Sequence, residues 1–233
     1  MKNLSIIALL FTLATCSLAQ ETNSFKPGAD DYNLEFQFTP FGSSPIGISG
    51  IRVRKFQSEN IAYRLNLFLS YSSDKIITQQ GDSLQPELKN TNNVFQIRLR
   101  PGIEKHLPGT DRLSPYFGVE LDLGFQKTTN KQERELFTPD PEPGEVVVDK
   151  ILNQNGFLRL GLNAIAGFDF YVAERLYLGA ELGYGFFWQK GLDIKYKTSE
   201  DGVVPPDPEV QGGEFSISPS VVSAIRMGYI FNK

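Results

Sequence analysis

The chain has 233 residues, of which 40% are hydrophobic and 21% are charged, and its formal net charge is −4. A chain of this length can build one sizeable domain with its own core. The negative balance and the lack of a basic stripe exclude nucleic acid as a partner. After the N-terminus, no apolar run reaches the ~18 residues of a spanning helix, which excludes a helical membrane protein.

The N-terminus predicts a secretory signal peptide over residues 1–19. Lys2 supplies the positive charge, and residues 6–14 form a short apolar run. Small residues occupy the −3 and −1 positions before a predicted cleavage between Ala19 and Gln20. The chain is therefore expected to be exported from the cytoplasm.

The lone cysteine, Cys16, allows two predictions for the N-terminus of the mature chain. Cleavage after the signal peptide removes Cys16, so the mature chain has no cysteine and forms no disulfide. In the alternative, Cys16 is lipidated and becomes the new N-terminus, although the preceding Thr15 is bulkier than the residues usual at that position. In the first case, residues 20–31 form a periplasmic N-terminal segment.

Eight stretches then alternate between apolar and polar residues. The clearest is IAYRLNLFLSY (61–71), in which every odd position is apolar or aromatic and four of the five even positions are small or polar. A period of two predicts a strand with one apolar face. The candidate strands are Tyr32–Thr39, Ile48–Phe56, Ile61–Tyr71, Val94–Ile103, Tyr116–Gln126, Phe157–Phe170, Leu176–Trp188 and Phe215–Phe231. Several reach the ~9–11 residues with which a tilted strand crosses a bilayer.

The connections between the candidate strands are short and long in turn. Those after the second, fourth and sixth strands are short or compact, whereas those after the third, fifth and seventh are long and polar, at 72–92, 127–154 and 189–213. Outer-membrane barrels have this asymmetry, with short periplasmic turns and long extracellular loops. We expect protein or glycan partners at the long loops, and both termini on the periplasmic side.

Aromatic residues concentrate near the ends of the candidate strands. Toward the long loops lie Tyr71, Phe125, Phe186 and Trp188, and toward the short turns lie Tyr63, Tyr116, Phe168, Phe170, Tyr177 and Tyr229. Two such groups predict aromatic girdles at the two membrane interfaces. The alternative is that aromatic residues are simply good strand formers.

Together with the signal peptide and the eight strands, the closing segment RMGYIF (226–231) resembles the end of a small Gram-negative outer-membrane β-barrel. The resemblance is to the OmpA/OmpX class and to the families described as outer membrane protein β-barrel domains. It implies an all-β fold over 32–233, an eight-stranded antiparallel up-and-down transmembrane barrel with a polar, charge-filled lumen. It also implies a place in the outer membrane, surrounded by its lipids, and insertion by the barrel-assembly machinery. Such a fold does not identify a function.

The polar face of the candidate strands carries seven arginines and five carboxylates, which we predict to form a charge network in the lumen. They are Glu35, Arg52, Arg54, Arg64, Arg98, Arg100, Glu120, Asp122, Arg159, Asp169, Glu181 and Arg226. Arginine suits a buried network because its fork binds carboxylates bidentately and stays charged. An eight-stranded barrel is just wide enough for side chains to fill, and we expect Tyr116, Phe157, Tyr177 and Phe187 to fill it together with the charged residues. Structural packing is one interpretation, and a gated polar path is the other.

Reactive groups are scarce, so we predict no catalytic residue, no metal site and no cofactor. The one histidine, His106, falls in the short predicted turn KHLPGTDRL, away from any outer-leaflet substrate. The sequence has no zinc-ligand cluster and no glycine-rich phosphate loop. The expected function is a non-enzymatic barrel that anchors long loops for structural or interaction roles. The alternative is a narrow, porin-like pore, or an accessory barrel of a transport or secretion system.

Overall fold

The computed structural model describes residues 25–38, 48–79, 88–135 and 146–231. The predicted signal peptide, its cleavage site between Ala19 and Gln20, and Cys16 lie outside these residues. Within them the regular structure is entirely β, and no helix is long and apolar enough to cross a membrane.

The described residues form ten strands. They are β1 (Tyr32–Phe38), β2 (Ile48–Ser58), β3 (Ile61–Gln79), β4 (Leu88–His106), β5 (Leu113–Glu135), β6 (Val146–Leu152), β7 (Phe157–Ala173), β8 (Leu176–Gly191), β9 (Lys195–Thr198) and β10 (Gly213–Phe231).

Eight of the strands close into a ring. The order around it is β1, β2, β3, β4, β5, β7, β8 and β10, and every neighbouring pair is antiparallel. The first and last strands join in register, with Tyr32 opposite Phe231, so the ring leaves no open edge. The predicted eight-stranded antiparallel up-and-down barrel is confirmed.

The two faces of the barrel wall are inverted relative to a soluble protein. Along β3, Leu65 and Leu67 point outward with 46% and 38% of their surface exposed, while Arg64 and Asn66 point inward and are 3% and 1% exposed. The same apolar outer face continues on β5, at Val119 and neighbouring residues. An apolar exterior around a polar interior is the arrangement that a bilayer requires of a barrel.

The strands are longer on one side of the ring than on the other. We call the end with the short turns (59–60, 107–112 and 174–175) the inner end, and the opposite end the outer end. At the outer end β3, β4 and β5 continue past the rest of the ring, and their pairing reaches Gln79–Leu88 and Leu88–Arg134. β6 then pairs with β5, and β9 with β6. We call this five-stranded sheet the outer extension.

The outer extension corrects the loop prediction. The segments 72–92, 127–154 and 189–213 were expected to be loops, but each one carries strand residues, including all of β6 and β9. Both faces of a strand beyond the membrane can meet water, so its sequence needs no apolar alternation and gives no period-two signal. The other predicted strands begin and end within about three residues of the observed ones, as far as they are described.

The aromatic girdles also need a correction. Trp188 and Phe168 face outward, 46% and 45% exposed, as a girdle requires. Tyr116 and Tyr177 were assigned both to the inner girdle and to the lumen; the girdle assignment is wrong, because both point into the lumen and are buried. Their positions share the inward parity of the charged residues on β5 and β8, and their hydroxyls bond to lumen carboxylates.

Candidate functional site

The structure places all twelve predicted charged residues on the lumen side of the wall. Each of them forms at least one ion pair with another lumen residue. Nine are buried, whereas Arg98, Arg100 and Arg159 are half-buried toward the outer end. The polar, charge-filled lumen predicted from the strand pattern is therefore present.

Glu181, on β8, is the centre of the inner part of the network. Its carboxylate accepts paired hydrogen bonds from Arg52 at 3.2 and 3.0 Å and from Arg64 at 2.9 and 3.0 Å. The Tyr116 hydroxyl donates a further hydrogen bond to it. Bidentate arginine–carboxylate bonds are directional and strong, so they fix these side chains in the middle of the lumen.

A second group of charges lies closer to the inner end. Arg226 binds Glu35 at 3.0 Å and Asp169 at 3.2 Å. Arg54 lies 2.8 Å from Asp169 and 3.0 Å from Glu104. These five side chains are completely buried, so each charge needs its counter-charge to remain inside.

Glu104 belongs to this network although the sequence analysis did not include it. The predicted strand ended at Ile103, one residue too early, whereas β4 continues to His106. Glu104 has the same parity as Arg98 and Arg100 on that strand, so a longer strand would have identified it. Its carboxylate bridges two of the buried arginines.

Two glycines make room for the network. A Cβ added to Gly228 would overlap the Tyr177 ring, which packs against the β10 backbone. A Cβ added to Gly179 would lie 2.5 Å from Nη2 of Arg226. Both glycines therefore let a large lumen side chain approach the wall more closely than any other residue would allow.

An apolar cluster covers the network at the inner end. Tyr171, Tyr177 and Ile230 are buried together, and Phe25 from the N-terminal segment packs against them. The Arg112 guanidinium lies 4.1 Å from the centroid of the Phe25 ring. The N-terminal segment is held in turn by backbone hydrogen bonds between residues 30–31 and Phe56. The inner mouth of the barrel is thus filled by side chains.

The outer part of the network has a different charge balance. Arg98, Arg100 and Arg159 all contact the single carboxylate of Asp122, at 3.5, 3.2 and 3.1 Å. Arg100 also lies 3.4 Å from Glu120, which Arg64 of the inner part shares. Phe187, one of the aromatic residues predicted to fill the lumen, packs against Arg159.

His106 is in a different place from the predicted turn. It is the last residue of β4 and is buried, with Nδ1 2.8 Å from Oγ of Ser114 and Nε2 3.4 Å from Glu104. These residues form a serine–histidine–carboxylate series, which no sequence motif indicated. Ser114 is only 4% exposed, and the rings of Phe56 and Tyr116 flank the imidazole. The Ser114 hydroxyl is buried and not accessible to a substrate, so this series ties β4 to β5.

Metal ligands are not grouped in the part of the chain that the structure describes. No three histidine, cysteine, aspartate or glutamate side chains there come together as a metal site would require. The buried carboxylates of Glu35, Glu104 and Asp169 each pair instead with an arginine.

No family model matches the sequence, and no curated protein matches it. Solved structures of several bacterial proteins are similar to this chain over most of its length. Acinetobacter baumannii CarO is 11% identical, with 87% of this chain and 97% of that chain covered and a TM-score of 0.37. The N-terminal β-barrel domain of Pseudomonas aeruginosa OprF is 14% identical, with 88% and 100% covered and a TM-score of 0.30. A major outer membrane protein from Thermus thermophilus is 12% identical, with 86% and 98% covered and a TM-score of 0.25.

At these identities and TM-scores the likeness assigns no function. The architecture follows from the chain's own structure: a closed antiparallel ring, an apolar outer face and a lumen filled with paired charges. This is the architecture of an outer-membrane β-barrel.

Proposed function

We propose that this protein is a non-enzymatic barrel that anchors in the outer membrane and presents its outer extension to other molecules at the cell surface. The observation that carries the proposal is the ion pair between Arg64 and Glu181, which joins opposite walls of the barrel across the lumen. A lumen crossed by such a pair is a packed core, which favours anchoring over passage.

The outer extension supplies a surface for contacts. Asn90, Gln132, Asp149 and Thr198 lie directly opposite one another on β4, β5, β6 and β9, so they form one polar row across four strands. This row lines a cavity of about 350 Å³, whose other side is formed by residues 203–206. Amide, carboxylate and hydroxyl groups in one row can donate and accept hydrogen bonds. They suit a polar partner such as a glycan or a protein loop.

The segments expected to carry partners, at 72–92, 127–154 and 189–213, have their described residues at this end of the barrel. An ion-pair group stabilises the extension, because Arg134 of β5 lies 3.3 Å from Asp149 of β6 and also pairs with Glu200. Insertion by the barrel-assembly machinery and contact with outer-membrane lipids belong to the same proposal.

The orientation of the barrel in the membrane is the first test of the proposal. A Lys197→Cys variant should react with a membrane-impermeant maleimide on intact cells, because Lys197 is exposed on β9. An Asp111→Cys variant, in a short inner turn, should react only after the outer membrane is permeabilised. The opposite labelling pattern would contradict the proposed orientation.

The transport alternative is tested with the purified, folded barrel in planar bilayers. We expect no steady ion conductance from the unmodified protein, since the Arg64–Glu181 pair and the inner apolar cluster fill the lumen. Steady conductance would show that the network opens. A narrow pore or an accessory transport barrel would then replace the anchoring role.

A further inference from the structure

The two parts of the lumen network differ in net charge. Among the described side chains, the inner part holds four arginines and five carboxylates: Arg52, Arg54, Arg64, Arg226, Glu35, Glu104, Glu120, Asp169 and Glu181. The outer part has Arg98, Arg100 and Arg159 around Asp122, and Arg100 also shares Glu120 with Arg64 of the inner part. The inner part is therefore nearly neutral, whereas the outer part carries a surplus of positive charge.

The three arginines of the outer part are more exposed than those of the inner part. The Arg98, Arg100 and Arg159 side chains are 24%, 12% and 14% exposed, while those of the inner arginines are at most 1% exposed. A cavity of about 190 Å³ lies against Arg98 and is also lined by Phe68, Ser70 and Gln96. Since one water occupies about 30 Å³ of liquid, the cavity has room for several waters or one small oxyanion.

A glycine, Gly124, lies between two of these arginines in the barrel wall. Arg98 lies opposite Gly124 of β5, and Gly124 lies opposite Arg159 of β7, so the three residues form one row across the wall. A Cβ at Gly124 would lie 3.2 Å from the Cβ of Arg159 and 3.5 Å from its Cδ. The Arg159 side chain therefore packs over Gly124, in the same row as Arg98.

Aromatic rings hold the arginines in place, and not all of the arginine N–H donors have a hydrogen-bond partner among the described residues. The Arg159 guanidinium lies 3.6 Å from the centroid of the Phe187 ring, and that of Arg100 lies 5.3 Å from the centroid of the Phe68 ring. Nε of Arg100 is buried without a hydrogen-bond partner among the described residues. Arginines held by aromatic rings, with donors to spare, are suited to binding an oxyanion.

We propose that Arg98, Arg100 and Arg159 form a binding site for a small oxyanion, of the phosphate or carboxylate type, that enters from the outer end of the lumen. Asp122 holds the three arginines together when the site is empty, and the anion takes up donors that Asp122 leaves unused. The network around Glu181 closes the lumen below the site, so the anion binds there and does not pass through.

The test uses the full mature chain, refolded in an uncharged detergent that contains no lipid phosphate, with inorganic phosphate as the probe. Binding is measured by calorimetry and by the rise in melting temperature, against sodium chloride at the same ionic strength. We expect phosphate to bind the unmodified protein. Arg98→Gln and Arg159→Gln should each weaken binding about tenfold or more, as the loss of a charged hydrogen bond does. Arg98→Lys should recover part of that loss.

Arg134→Gln is the matched control, because Arg134 is an arginine of the outer extension away from the site. It should bind phosphate as the unmodified protein does. Heat-modifiable migration on gels verifies that each variant is folded. Equal affinity in Arg98→Gln, Arg159→Gln and the unmodified protein would overturn the proposal, as would a phosphate effect no larger than that of chloride.

Asp122→Asn separates a binding site from a purely structural cluster. Removal of the internal counter-charge should lower the melting temperature without phosphate and enlarge the rise that phosphate produces, because the anion then replaces the missing carboxylate. A structural cluster would lose stability without any gain in the response to phosphate, and that result would also overturn the proposal.

Discussion

Glu181 accepts two hydrogen bonds from the Arg64 guanidinium, although β8 and β3 are as far apart in the ring as two of its strands can be. Three strands separate them in either direction, so the pair spans the lumen at its full width. Arg52 of β2 binds the same carboxylate. The ring is therefore held together both by its hydrogen-bonded wall and by charges that meet at its centre.

Removal of the central carboxylate should destabilise the barrel. In Glu181→Ala, Arg52 and Arg64 keep their burial but lose a shared counter-charge, and breaking a buried pair costs about 3–5 kcal/mol. We expect a decrease of that order in the free energy of unfolding, measured by urea titration in lipid vesicles. The control is Glu200→Ala, which removes a partly exposed partner of Arg134 and should cost about 1 kcal/mol or less. Similar losses in the two variants would mean that the lumen is wet.

Gly228 should not tolerate even one added methyl group. Because a Cβ there would overlap the rigid Tyr177 ring, Gly228→Ala should displace the ring from Glu35 and cost about 1–3 kcal/mol, as overpacking does. Gly212→Ala is the control, since a Cβ at Gly212 meets nothing within 4 Å. Unfolding free energies of the two variants check the prediction, and a neutral Gly228→Ala would show that Tyr177 does not pack against β10.

The strand pattern allowed the wall and the lumen to be predicted, because a bilayer demands alternation from each residue that crosses it. IAYRLNLFLSY shows both faces directly, and Arg64 and Leu67 lie where the pattern placed them. Because the alternation is required only within the membrane, it ends where β3 leaves the membrane, at SSDKIITQ (72–79). Those residues were therefore predicted to be a loop although they belong to β3. Glu104 was missed because the predicted fourth strand ended one residue before it, at Ile103.

The pairing of charges within the lumen could not be predicted. Parity shows that Arg54 and Asp169 both point inward, but whether they meet depends on the tilt and register of β2 and β7, which lie on opposite walls. Closure of the barrel fixes the tilt and the register of all strands together, so the sequence of a single strand does not reveal them. The unequal charge balance of the two parts of the network could not be predicted from the sequence for the same reason.

The N-terminal segment should contribute to stability through one side chain. Phe25→Ala removes the ring that packs on Tyr171, Tyr177 and Ile230 and lies against Arg112. Since Phe25 is only partly buried, we expect a loss of about 1–3 kcal/mol, below the range for a fully buried phenylalanine. Val204→Ala, at an 88% exposed position, should change the melting temperature little. If Phe25→Ala is equally neutral, the segment does not cover the inner mouth in solution.

The final prediction uses one strand to locate the membrane. Leu67 and Ile77 share the outward face of β3, but they are ten residues apart, which is about 33 Å along the strand. Leu67→Arg places a cation in the middle of the apolar belt, where it costs about 2–4 kcal/mol, whereas the cost falls to about 0–1 kcal/mol near the interface. Ile77→Arg, on the outer extension, should therefore be close to neutral. The free energy of unfolding in vesicles measures both variants, and folded yield in cells should follow the same order. Equal losses at the two positions would place the whole of β3 in the bilayer and contradict the outer extension. Two neutral variants would instead show that the outward face does not meet lipid at all.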